Sequence, residues 1–103
     1  MKALVLGQQG LNVPAVGLGC MGISNFYGAS ALQENLKVLD HAAELGCTFW
    51  DTADIYGPFR NEELLARALK GLRETITLAT KFGIRHDAAA GGPLLLSVQV
   101  QTF

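Results

Sequence analysis

The sequence predicts an α/β fold assembled from parallel βαβ units, on three observations. Two segments carry apolar residues at helical spacing, each lies between short apolar or β-branched runs, and the connections are only a few residues long. The runs that follow the helices also end in charged residues, Asp51 and Lys81. With 103 residues, 50% hydrophobic and 17% charged, the chain reads as one globular domain or part of one. A net charge of -1, a pI near 6.0 and the lack of any Lys/Arg run exclude nucleic acid as an expected partner. Cys20 and Cys47 stand apart without metal-ligand spacing, so no metal site and no disulfide framework is expected. No apolar run approaches the roughly 20 residues of a membrane helix or has signal-peptide form, so no membrane partner and a reducing, cytoplasmic location are expected.

The elements follow in order. Lys2–Leu6 and Leu11–Ala15 flank the turn residues Gly7-Gln8-Gln9-Gly10 and predict a β-hairpin, with Pro14 marking its second strand as an edge. Val16–Gly19 reads as a short buried strand, and Cys20–Ala29 as a loop. Ser30 with Gln33 forms a capping-box pattern, and Leu32, Leu36, Leu39 and Ala43 give one apolar face that Gly46 stops. Thr48–Asp51 predicts the next strand, with Phe49 and Trp50 packing between sheet and helices. Asn61 is placed to cap a second helix. Its first turn carries Glu62 and Glu63, its end Arg67 and Lys70, its buried face Leu64, Leu65, Ala68, Leu69 and Leu72, and Gly71 stops it. Thr75–Lys81 is a strand by composition.

Two architectures share this order, the doubly wound sheet and the (β/α)8 barrel. A dinucleotide-binding doubly wound sheet needs G-x-G-x-x-G at the turn into its first helix. Gly17-Leu18-Gly19-Cys20-Met21-Gly22 matches in letters but stands too far from the helix. A barrel instead collects its active residues at the C-terminal ends of its strands, where Asp51 and Lys81 fall. The expected fold is therefore the N-terminal part of a (β/α)8 barrel, a hairpin plus about three βα units.

Asp51-Thr52-Ala53-Asp54-Ile55-Tyr56-Gly57, followed by Ala79-Thr80-Lys81-Phe82-Gly83, resembles the aldo-keto reductase family, with the flavour of its plant perakine-reductase-like or auxin-induced-type members. The similarity runs from Met1 to Ile84. It implies an NADPH-dependent oxidoreductase that reduces an aldehyde or ketone. Residue by residue, the resemblance places the family's catalytic Asp at Asp51, its Tyr at Tyr56 and its Lys at Lys81. It also places Asp51, Gly19, Cys20 and Met21 on the nicotinamide side of the cofactor, although Cys and Met depart from the residues more usual there. The family's fourth catalytic member, a His after the fourth strand, has no counterpart. His86 lies just past the third strand in unmatched sequence and is not read as its replacement.

The chemistry stands without the family name. Hydride delivery to a carbonyl leaves an alkoxide that needs a proton, and a phenol serves as general acid near neutrality only if its phenolate is stabilised. An adjacent ammonium does that, and a carboxylate holds the ammonium charged and oriented. Tyr56, Lys81 and Asp51 are thus expected as acid, tuner and orienting partner, converging at one end of the sheet. Asp54 is read as a solvated loop acid and His41 as a surface residue of the first helix.

Residues 1–84 are accordingly assigned to an aldo-keto reductase domain and 85–103 to a divergent tail of unknown role. The tail starts with Arg85-His86-Asp87-Ala88-Ala89-Ala90-Gly91-Gly92-Pro93, a small-residue linker, and Leu94–Phe103 alternates as a strand does. A barrel typically needs about 250 residues, so the alternative function is a truncated, non-catalytic fragment or protein-association module. It would lack the phosphate-binding loops after the later strands and not turn over by itself. Its tail would be loosely held, and its open sheet would self-associate along the third strand unless the tail covers that edge.

Overall fold

A computed structural model describes the backbone of residues 1–24, 29–57, 59–87 and 92–102, and the side chains of residues 1–24, 31–57 and 59–83. Strands β1 (Ala3–Leu6) and β2 (Leu11–Pro14) form an antiparallel hairpin that registers Leu6 against Leu11. β1 is exposed along its whole length, and Val13 of β2 is buried. A second sheet of four strands has the order β3 (Leu18–Gly19), β4 (Phe49–Asp51), β5 (Thr77–Asp87), β6 (Gly92–Thr102). β3, β4 and β5 run parallel, and β6 returns antiparallel along β5.

Helix α1 (Ala29–Glu44) links β3 to β4 and α2 (Arg60–Ala68) links β4 to β5, which is the βαβαβ order expected from the spacing. α1 starts one residue before Ser30, whose side chain lies outside the described residues. At its end Gly46 takes φ 82°, its N–H donates to the Ala43 carbonyl and that of Cys47 to the Ala42 carbonyl. This is a Schellman closure, which explains the glycine there.

Trp50 and Leu39 are fully buried, Leu65 nearly so, and they form the core with Cys20, Ala68, Leu69 and Ile76. Leu18, Leu36, Ala43, Leu72 and Leu78 pack around it. Removing Leu39 or Leu65 from water contributes roughly 1.5–3 kcal/mol each. Leu18, Trp50 and Leu78 are register partners and share the helix-facing side of the sheet. Alternation then sends Asp51 and Lys81 to the opposite side.

Three expectations need correction. The third strand starts at Thr77, two residues later than composition suggests, and continues to Asp87, so Arg85, His86 and Asp87 are strand rather than linker. Residues 88–91 lie outside the described residues. The first parallel strand is shorter than expected, Leu18–Gly19, because only these residues register against Trp50 and Asp51. The tail does cover the third strand, the exception allowed for above, with β6 paired from Ala79 against Thr102 to Asp87 against Gly92 and a register shift between Phe82 and Ile84. Finally, Asn61 does not cap α2. Phe59, at φ 64° and without a side-chain cap bond, occupies that position. Asn61 lies one residue inside the helix and is fully buried.

Candidate active site

β3, β4 and β5 point the same way, so the segments leaving their C-terminal ends meet at one mouth. The β4–β5 ladder continues beyond Asp51, with the Thr52 N–H donating to the Ala79 carbonyl and that of Asp54 to the Lys81 carbonyl. The chain then winds through Ala53–Gly57, with Tyr56 N–H on the Ala53 carbonyl, and enters α2 with Asn61 N–H on the Tyr56 carbonyl. Gly57 takes φ 93°, and a Cβ there would stand 2.7 Å from the Arg60 Cβ. The turn that delivers Tyr56 therefore needs glycine after it.

The Lys81 ammonium lies 2.6 Å from Asp51 Oδ1, 2.8 Å from the Thr52 carbonyl and 3.3 Å from the Tyr56 hydroxyl. An ammonium has three donors, and each has its acceptor. Its Nζ also stands 5.1 Å from the centre of the Tyr56 ring. The Lys81 side chain is 22% exposed and that of Asp51 46%, so the pair sits at the rim of the sheet rather than in the core. Burial acts to lower the Lys81 pKa, but the hydrogen bonds to Asp51 and Tyr56 and their charges outweigh it. The net direction is upward from the ordinary 10.5. Lys81 is thereby held charged, as a hydrogen-bond donor rather than a free amine nucleophile.

Of the residues placed beside a cofactor, Gly19 is exposed, with nothing within 4 Å of where a Cβ would stand, and Met21 is 57% exposed. Cys20 is fully buried, and burial pushes its thiol up to about 11. Its N–H donates to the Asp51 carbonyl. Its side chain packs into the core, whereas Gly19 and Met21 are exposed. Asp54, read as a solvated acid, is half-buried, and its Oδ1 is shielded from water with no hydrogen bond among the described residues. His41 is exposed, with Nδ1 3.5 Å from Glu44 Oε2. The side chain of His86 lies outside the described residues. No group of three or more His, Cys, Asp or Glu that could hold a metal occurs among the described residues.

A polar layer behind the site escaped the sequence reading. Asn61 accepts from the Thr52 hydroxyl through Oδ1, and its amide nitrogen donates to the Cys20 carbonyl and to Ser24 Oγ. The Thr80 hydroxyl donates to Glu62 Oε1 at 2.6 Å. A signal did exist. Asn61 precedes Leu65, Ala68 and Leu72 at i+4, i+7 and i+11, so it lies on the buried stripe of α2.

Comparison with known proteins decides the family. The aldo/keto reductase family model matches residues 15–94, starting after the hairpin and reaching past Ile84, where the motif resemblance stopped. The chain belongs to the aldo/keto reductase family. It is 52% identical over 81 residues to the aldo-keto reductase yakc [NADP(+)] of Schizosaccharomyces pombe, covering 77% of this chain and 24% of that protein. It is 48% identical over 86 residues to the probable aldo-keto reductase 1 of Glycine max, covering 82% and 25% respectively. Among solved structures, the holo form of aldo-keto reductase AKR11C1 from Bacillus halodurans superposes with a TM-score of 0.78 at 36% identity, over 92% of this chain and 30% of that one. The thermostable aldo-keto reductase Tm1743, solved with the inhibitor epalrestat, gives 0.68 at 37% identity, over 76% and 30%. The chain therefore spans about a quarter of the length of the curated relatives it matches. Its architecture is a part of the (β/α)8 barrel of these reductases, and among the described residues the sheet stays open. No described helix is long and apolar enough to cross a membrane.

Proposed function

We propose that this mouth is the proton-donating part of an NADP-dependent carbonyl reductase acting on an aldehyde or ketone, with Tyr56 as general acid. The observation that carries it is the threefold contact of the Lys81 ammonium with Asp51, the Thr52 carbonyl and the Tyr56 hydroxyl. A substrate oxygen within hydrogen-bond reach of Tyr56 would take the phenolic proton as it becomes an alkoxide. Lys81 faces the phenolate left behind, and a positive charge already in place stabilises it without reorganisation. Asp51 keeps that charge at the correct rim of β5. After the step the phenolate regains its proton from solvent.

The residues fit a nicotinamide group on one side of the mouth. Gly19 has nothing within 4 Å of where a Cβ would stand, Met21 is exposed, and the Asp51 side chain is about half exposed. Asp51, Gly19 and Met21 would line that side, with Cys20 anchoring the loop from within. A bound NADPH would supply the hydride. The two free cysteines fit a reducing, cytoplasmic location, and the lack of any Lys/Arg run argues against a nucleic-acid partner.

A second reading is a non-catalytic fragment, or an association module joined through its open sheet. It is favoured by the quarter-length coverage of the relatives. A chimera separates the two. Residues 15–84 replace the matching segment of the fission yeast relative, and NADPH absorbance is followed with a panel of aldehydes and ketones. Turnover is expected, falling about 10²–10⁴-fold in Tyr56→Phe. A folded, NADPH-binding chimera without turnover, or one indifferent to Tyr56→Phe, would overturn the proposed function. The 103-residue chain alone is expected to leave NADPH unchanged; turnover by it that Tyr56→Phe abolishes would retire the second reading.

A further inference from the structure

We infer that Asn61 is a positioning residue for the reacting pair, working through Thr52 on one side and Tyr56 on the other; this rests on reading Tyr56 and Lys81 as that pair. Asn61 occupies a junction. Its backbone N–H holds the Tyr56 carbonyl at 3.1 Å, and its side-chain oxygen accepts from the Thr52 hydroxyl. Its amide nitrogen ties both to the segment after β3, through the Cys20 carbonyl and Ser24 Oγ. Thr52 in turn presents its own carbonyl to the Lys81 ammonium at 2.8 Å, while its N–H is held by Ala79.

One buried amide therefore fixes the residue carrying the acid and the carbonyl that locates the cation. Asn61 is fully buried and Thr52 is 1% exposed, so water cannot replace these bonds. Both amide hydrogens and the carbonyl oxygen are used, which only an Asn of this length achieves across three elements. Asp at this position would face the Cys20 carbonyl with an acceptor, and Leu would leave the Thr52 hydroxyl and Ser24 without this partner. A helix cap would need none of this, since the α2 cap lies two residues earlier at Phe59.

The test reads the position of Lys81 without requiring turnover. The full chain is acylated with trace acetic anhydride, and the labelling rates of Lys81, Lys37 and Lys70 are compared by peptide mass spectrometry. Lys37 and Lys70 are exposed and serve as internal references. In the wild type Lys81 is expected to be the slowest of the three. In Thr52→Val and Asn61→Leu its rate relative to the references should rise roughly five- to tenfold, the scale of losing much of one charge-assisted hydrogen bond, and Thr52→Ser should restore the wild-type ratio. Fluorescence of Trp50, the chain's single tryptophan and fully buried, reports that the core is intact. Should Asn61→Leu fail to fold, the two Thr52 variants decide. An unchanged Lys81 ratio in a folded Thr52→Val would overturn the inference, and so would equal acceleration of all three lysines, which marks a merely structural role. Neither outcome depends on NADPH turnover, so failure here is distinguishable from failure of the proposed reaction.

Discussion

Replacing Asp51 by Asn removes one charge from the site while keeping the side chain's shape, and its effect should depend on pH in a definite direction. Lys81 loses the acceptor at 2.6 Å and keeps the Thr52 carbonyl and the Tyr56 hydroxyl. Fully exposed ion pairs contribute about 0.2–1 kcal/mol. Here the Lys81 side chain is only 22% exposed although Asp51 is 46%, which puts Asp51→Asn near the top of that range, at about 1 kcal/mol. The folded-state pKa of Lys81 is raised above 10.5. Its contribution is therefore complete below the unfolded value and lost as the pH climbs through the folded one. Urea unfolding followed by Trp50 fluorescence at about pH 8 and about pH 11.5, on either side of the unperturbed lysine value of about 10.4, supplies the comparison. The gap between wild type and Asp51→Asn should be present at the lower pH and shrink at the higher. Burial pushes the Cys20 thiol up to about 11 and the Asp51 charge adds to that, so the comparison is run with both proteins carrying Cys20→Ala. A gap that is absent at the lower pH, or equal at both, would refute the claim that the pair is held by charge.

Leu39→Ala should cost about 2–5 kcal/mol, because the side chain is fully buried between helix and sheet. Val38→Ala, one residue away and 51% exposed, should cost well under half as much in the same urea titration; equal costs would contradict the assigned face of α1. Gly57→Ala and Gly46→Ala both force a residue with a Cβ to positive φ, but only at Gly57 does that Cβ meet another atom, the Arg60 Cβ at 2.7 Å. Gly46→Ala should therefore lose about 1 kcal/mol and Gly57→Ala more than that. Thermal melts giving the reverse order would place the strain elsewhere.

How much of this was legible in the residues can be argued from particular positions. The 3.6-residue spacing of Leu36, Leu39 and Ala43 and of Leu65 and Ala68 determined that both helices form and which faces they bury, since helix period and burial are local consequences of residue order, although α2 ends at Ala68, short of the Gly71 stop. Short connections then imposed parallel strands. Parallel strands with acid and base at their ends bring Asp51 and Lys81 to one mouth wherever the rest of the chain goes. The D-T-A-x-x-Y-G spacing likewise placed Tyr56 in reach. The apolar stripe of α2 already signalled that Asn61 faces inward, but tertiary structure alone decided which three partners it meets there and that it does not cap its helix. A cap depends on where the entering chain crosses the axis, and that is set by Gly57 and Phe59 folding back onto Asp54 and Arg60. It alone decided too that Asp54 loses one carboxylate oxygen to burial, because that shielding comes from the fold of the surrounding loop rather than from local sequence. The return of β6 along β5 was the furthest from local reach. Alternation in Leu94–Phe103 signals a strand, but which edge it pairs with is a choice among distant backbones, and only the exposed hydrogen-bonding edge of β5 settles it.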